Sequence, residues 1–221
     1  YSNPGYDLFK DLVPVATSTS AASLLVVHEK SPYKTVQDLI QGARTKADKL
    51  TFGSGGNGTS AHLAGSAFLK LVNASGIHVP FKSAAEIVQN VMSGQVDFGV
   101  PILAVAHGQV KAGRLRALAV STPERHPFFP EVPTFAEVLP GGFSLRSWFG
   151  VMAAAGTPAP IVRQLHAAIV KVQRTADFEQ ATLRDGSQVF ILESPEAMAQ
   201  FLRKEFELYR TLVGDTGAKV E

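Results

Sequence analysis

The chain has 221 residues, 45% of them hydrophobic and 18% charged, enough for one large domain or two small ones with a real core. A formal net charge of +2 without a dense Lys/Arg run argues against nucleic acid as the main partner. There is no cysteine, which excludes disulfides, thiolate metal sites and cysteine nucleophiles, and no apolar run reaches the roughly 18 residues of a membrane span.

The chain opens on "YSNPGYDLFKDLVPVA", without a signal-peptide pattern, and reads like the interior of a longer protein. "SLLVVH" (23–28) is apolar and β-branched, a buried strand. "SPYKTVQDLIQGAR" follows as a helix, with Thr35 and Asp38 in capping-box spacing and Val36, Leu39 and Ile40 on its apolar face. "KLTFG" is a strand and "TSAHLAGSAFLKLV" a helix that buries Leu63, Ala67, Phe68 and Leu71. Next come strand "IHVPF", helix "SAAEIVQNVMSG" capped by Ser83 with Glu86, strand "VDFGV", helix "ILAVAHGQVKAG" and strand "LRALAVS". This alternation predicts parallel βαβ units and an α/β fold.

The proline-broken connector "STPERHPFFPEVPTFAEVLPGG" is expected to run over a surface. Strand "LRSWFGVMAA" follows, then a helix opened by prolines, "GTPAPIVRQLHAAIVKVQR", with Ile161, Leu165, Ala168, Ile169 and Val172 expected on its buried face. A short helix "DFEQATLRDG", a strand "QVFIL" and a last helix capped by Ser194, with Pro195 in its first turn, complete the chain.

The stretch "KLTFGSGGNGTSAHLAG" carries the chemistry. Gly53, Gly55 and Gly58 satisfy G-x-G-x-x-G between a strand and a helix. A dinucleotide site also needs an acid at the end of the next strand, and that strand ends in Val79, Pro80, Phe81 and Lys82. Gly53 and Gly58 also have P-loop spacing, but Thr59 stands where the phosphate-binding lysine is required. Two readings stay open. One is a tight turn in which Asn57 or Thr59 caps the helix. The other is an anion cradle, in which helix-start N–H groups act with Ser54, Asn57, Thr59 and Ser60. Four glycines in six residues are more than a cap needs, since each costs about 0.5–1 kcal/mol of backbone entropy.

One βα unit later, Ser83 starts a helix at the same sheet edge, and Lys82 could add charge or face solvent. The six histidines (His28, His62, His78, His107, His126, His166) are scattered, and none pairs with another histidine or an acid at metal spacing. His62 could reach a ligand, pack or face solvent. Trp148 and Phe149 read as packing, with a crevice wall as the other option. No nucleophile–base set and no carboxylate pair stands out.

Six segments in order, "FGSGGNGTSAHLAG", "VPFKSAAE", "KAGRLRALAV", "PEVPTFAE", "SWFGVMAAAGTPAP" and "ESPEAMAQFLRKE", resemble the Bug family across essentially the whole chain. These are the extracytoplasmic solute receptors of tripartite tricarboxylate transporters. The resemblance implies a type II periplasmic-binding-protein fold, with two α/β lobes closing on a small carboxylate such as a dicarboxylate. It implies that Ser54, Gly55, Gly56, Asn57, Gly58, Thr59 and Ser60 take one carboxylate, that Lys82, Ser83 and Ala84 line the same cleft, and that Pro101 adds a wall. It implies a periplasmic location, membrane components of the transporter as partners, and neither catalysis, cofactor nor metal.

Departures from the family qualify this. "FGVPILAV" is apolar where the family usually has a polar residue, which argues against an amino-acid ligand, and "PYKG" has become "PFKS". Relative to the family, the N-terminal part with its first strand and a "PPGG"-type loop is lacking. Residues 29–145 are therefore expected to form a complete lobe. Residues 1–28 with 146–221 would form a lobe missing half its sheet, open to self-association, and affinity for dicarboxylates would be weak. The alternatives are a non-binding remnant and an α/β phosphate- or nucleotide-binding enzyme.

Overall fold

The computed structural model describes residues 5–45, 49–139, 145, 147–184 and 186–216. The end of the connector (140–142), Arg146 of the expected strand and Asp185 of the short helix lie outside the described residues. Two compact units are present, one made mainly of Tyr1–Ala21 and Trp148–Gly214, the other mainly of Ala22–Ser147.

Strand β1 (Leu12–Ala21) belongs to the first of these units. The second holds β2 (Leu24–His28), α1 (Val36–Thr45), β3 (Leu50–Ser54), α2 (Ser60–Leu71), β4 (Gly76–Pro80), α3 (Ala84–Met92), β5 (Phe98–Gly99), α4 (Leu103–Lys111), β6 (Leu115–Val120) and α5 (Phe135–Val138). Its five strands lie in the order β4-β3-β5-β2-β6. β3 pairs parallel with β4 and β5, as the alternation predicts. β2 does not follow the parallel expectation: it runs antiparallel to both β5 and β6. This pairing also moves Leu24–His28 into the five-stranded sheet, so the expected lobe boundary after residue 28 falls too late. Leu24, Leu25, Val26 and Val27 are all fully buried, so both faces of this strand are covered, as suits a strand in the middle of the sheet.

The helices start where their caps dictate. Thr35 N–H donates to Asp38 Oδ2 at 2.9 Å and Asp38 N–H returns a bond to Thr35 Oγ1 at 3.1 Å. Glu86 N–H donates to Ser83 Oγ at 3.2 Å, and Lys82 N–H donates to Glu86 Oε2 at 3.1 Å. The core gathers Leu24, Val26, Val88, Val91, Leu103 and Val120 from strands and helices alike. The connector departs from its surface reading. Phe129 and Val132 join this core, Phe135 is fully buried, and Val120 N–H donates to Pro133 O at 2.9 Å. Prolines carry no N–H, so this segment lies against the core with few donors left to satisfy.

The first unit adds β7 (Ser147–Ala154), α6 (Ala159–Gln173), α7 (Ala176–Arg184), β8 (Ser187–Val189) and α8 (Pro195–Thr216) to β1, with strand order β7-β1-β8. β1 has no counterpart in the sequence reading, because Pro14 and the run "TSTSA" mask its alternation. Its polar groups are satisfied: Leu192 N–H donates to the buried Thr17 hydroxyl at 3.2 Å, and Gln173 Nε2 donates to Ser18 O at 2.9 Å. The buried face of α6 also differs from expectation. Val162, His166 and Gln173 point inward, whereas Ile161, Leu165 and Val172 are 45%, 43% and 54% exposed. His166 Nε2–H donates to Leu192 O at 2.9 Å, so two polar side chains hold this face through backbone carbonyls.

Candidate functional site

Because β4, β3 and β5 are parallel neighbours, their C-terminal ends, Pro80, Ser54 and Gly99, share one edge of the sheet. The glycine loop, the Lys82–Ser83 turn and the Pro101 turn all leave from that edge. Phe81 N–H donates to Ser54 O at 2.8 Å, tying the first two together. A Cβ on Gly55 would stand 3.8 Å from the Ser83 carbonyl carbon, and one on Gly56 would stand 3.8 Å from Phe81 O. Ligands of open parallel sheets gather at such strand ends.

The loop is ordered from within. Ser54 is fully buried, and its hydroxyl accepts from Gly56 N–H at 3.1 Å and meets His78 Nε2 at 2.5 Å. Thr59 caps α2: its hydroxyl donates to Gly56 O at 2.8 Å and accepts from His62 N–H at 3.4 Å. Gly58 N–H donates to His62 Nδ1 at 3.1 Å. Gly56 and Gly58 take φ of +115° and +75°, which L side chains rarely adopt. Thr59 therefore serves as the cap, and the glycines give the loop backbone conformations that other residues rarely adopt.

Several N–H groups at this edge have no partner among the described residues. The N–H groups of Gly55, Asn57, Ser60 and Ala61 donate to nothing among the described residues, nor do those of Ser83 and Ala84 on the neighbouring turn. Asn57, Lys82 and Ser83 are exposed, and Ser60 and Ala84 are half-buried. Lys82 makes no ion pair among the described residues. The starts of α2 and α3, each carrying the positive end of a helix dipole, thus leave from a single sheet edge, and the exposed Lys82 immediately precedes the second. Ser54 and Pro101 play another part. Pro101 is buried and its carbonyl accepts from Leu24 N–H at 3.0 Å, so both residues build the edge.

The histidine pair was invisible in sequence. His62 on α2 and His78 on β4 stack with ring centroids 3.9 Å apart and planes 13° from parallel, and Phe52 stacks on His78 at 5.0 Å. Burial lowers the pKa of both imidazoles. That of His78 falls to about 4, with the His62 ring a second cause after burial. A separation of sixteen residues across two elements gives no motif, and only the parallel β3–β4 pairing brings the rings together. Trp148 packs edge-on to Phe201 and donates to Glu205 Oε2 at 3.1 Å, as packing predicts. A separate concavity of about 520 Å³ in the same unit is rimmed by Lys34, Arg116, Glu29 and Glu131, a mixed set with no preference for anions. Among the described residues no cluster of three metal-ligating side chains occurs, and no helix is long and apolar enough to cross a membrane.

Residues 1–217 match the model of the tripartite tricarboxylate transporter family receptor. A protein of Pseudomonas sp. (strain P51), described as a UPF0065 protein in the tcbD-tcbE intergenic region, is 34% identical over 215 residues. That match covers 96% of this chain but 63% of the Pseudomonas protein, so the chain spans less than two thirds of that relative's length. Among solved structures, an R. palustris protein with adipate is 28% identical, with a TM-score of 0.85 over 98% of this chain and 72% of its own. MatC from Rhodopseudomonas palustris with bound malate is 27% identical, with a TM-score of 0.80 over 95% of this chain and 72% of its own. The fold is also that of the periplasmic binding protein BugD, 23% identical with a TM-score of 0.83 over 100% of this chain and 74% of its own.

Proposed function

The chain belongs to the tripartite tricarboxylate transporter receptor family, and from that premise we propose that it is a periplasmic receptor that captures a small carboxylate and hands it to the transporter's membrane components. The observation that supports this most is the shared edge of β3, β4 and β5. There, the starts of α2 and α3 leave neighbouring strand ends with N–H groups that lack a partner among the described residues, and Lys82 precedes α3. A carboxylate oxygen fits such donors, and each charge-assisted hydrogen bond contributes about 1.5–3 kcal/mol. The N–H groups of Gly55, Asn57, Ser60 and Ala61 would hold one carboxylate, with Ser83, Ala84 and Lys82 beside it. Gly56, Gly58, Thr59, Ser54 and Pro101 would shape the site. Adipate and malate, which two related structures hold, are the probes to try first.

In this reading the protein binds its ligand and leaves it unchanged, and residues 22–147 carry the whole of this half-site. Titration calorimetry with malate and adipate tests it. Saturable one-to-one binding is expected. Ser60→Asp should abolish it while leaving the fold intact, because a carboxylate at the helix start suits the dipole but occupies the anion's place. Undiminished binding by Ser60→Asp would contradict the placement.

A further inference from the structure

Gly56 and Gly58 spend their N–H groups inward, and the partners that receive them decide where the rest of the loop points. Gly58 N–H ends on His62 Nδ1 at 3.1 Å, and Gly56 N–H ends on the Ser54 hydroxyl at 3.1 Å. That hydroxyl rests in turn on His78 Nε2 at 2.5 Å. The two rings are stacked on each other, with Phe52 beside both at 5.0 and 6.2 Å and Phe98 stacked on Phe52 at 5.5 Å. A loop this rich in glycine has many backbone states to choose among. With the Gly56, Gly58 and Thr59 N–H groups bonded within the loop, those of Asn57 and Ser60 are left without a partner among the described residues.

We infer that His62 and His78 are positioning residues for the anion loop: the stacked pair holds Gly58 and Ser54 and so sets the neighbouring N–H groups, and the hold on Gly58 is released when His62 takes up a proton. The bond at Gly58 requires a lone pair on His62 Nδ1, which the neutral ring has and the imidazolium lacks. Protonating either ring places a charge 3.9 Å from the other imidazole, among phenylalanines. The titratable group that faces each ring is the other ring. From β3 and β5 come Phe52, Ser54 and Phe98, from the loop comes Gly58, and no carboxylate or ammonium among the described residues bears on either ring. Burial keeps both rings neutral at pH 7, so the frame is intact there and fails on acidification.

The consequence for binding rests on the carboxylate reading, whereas the frame itself needs no ligand. Simple electrostatics would have a nearby imidazolium strengthen carboxylate binding at low pH. A frame that needs neutral rings weakens it, and the two predictions have opposite signs. The test therefore has two arms.

In the first arm, the amide resonances of Gly56 and Gly58 and the ring resonances of His62 and His78 are followed by NMR from pH 7 to below pH 4, without ligand. The amides should titrate with the rings. Amides that stay fixed while the rings titrate would overturn the inference.

In the second arm, malate affinity is compared between the wild-type chain and H62Q/H78Q, whose amides supply an acceptor but no proton-dependent charge. Each protein's affinity is referred to its own value at pH 7. At the midpoint, wild-type affinity should fall about twofold further than the variant's, and more steeply below it, because only the neutral fraction binds. Ligand protonation affects both proteins and divides out. A wild-type affinity that holds or rises relative to the variant would overturn the inference. If malate and adipate fail to bind at any pH, or the variant fails to fold, the first arm still decides for or against the frame, and the absence of binding counts against the carboxylate reading alone.

Discussion

The imidazole of His62 lies face to face with that of His78, 3.9 Å between ring centroids, and the two rings contact Gly58 and Ser54 of the glycine loop. This contact joins stability to pH. Folding lowers the His78 pKa from its ordinary 6.5 to about 4, chiefly by burial. The unfolded chain therefore takes up a proton that the folded chain refuses. Stability from this group is complete above pH 6.5, falls as the pH drops from about 6.5 to about 4, and is constant below that. Urea denaturation across this range should show a steeper decline for the wild type than for His78→Gln. Parallel curves would contradict the assignment.

A second prediction reverses a common rule. Replacing a helical glycine with alanine ordinarily adds about 0.5–1 kcal/mol of stability. Gly65, within α2, is different: a Cβ there would stand 2.5 Å from Phe52 Cδ2. Phe52 is held in turn by Phe98 and the histidine stack, so it has little room to yield. Gly65→Ala should destabilise the protein by about 1–3 kcal/mol in urea melts, and a stabilised variant would show that Phe52 is free to move.

A third concerns Lys82, exposed and without an ion pair among the described residues. Its attraction for a bound carboxylate is that of a surface charge, about 0.2–1 kcal/mol. Lys82→Gln should therefore weaken malate binding by a factor of about 1.5 to 5 at low salt, and the difference should vanish near 1 M salt. A loss of a hundredfold would place Lys82 in direct contact with the ligand.

Local signals carried much of the fold. Hydrophobic periodicity and the capping pairs Thr35–Asp38 and Ser83–Glu86 located their helices, because these interactions join residues three or four apart. What was not legible depends on contacts across the chain. β1 hides behind Thr and Ser residues whose partners, Leu192 and Gln173, are far away in sequence. α6 buries His166 and Gln173 because backbone carbonyls of distant segments accept from them, so ranking by hydrophobicity selects the wrong face. At the site, the glycine loop announces itself by composition. The difference between Ser54, turned inward, and Ser60, at the helix start, depends on where His78 stands.

The claim that a small carboxylate sits at the shared edge of β3, β4 and β5 is tested most directly by titrating the nitrogen-15-labelled chain with malate and following the amide resonances. The account predicts that the largest shifts fall on Gly55, Asn57, Ser60 and Ala61, with Ser83 and Ala84 close behind, because their N–H groups are the free donors at that edge. Saturable shifts centred elsewhere, with these amides unmoved, would contradict it.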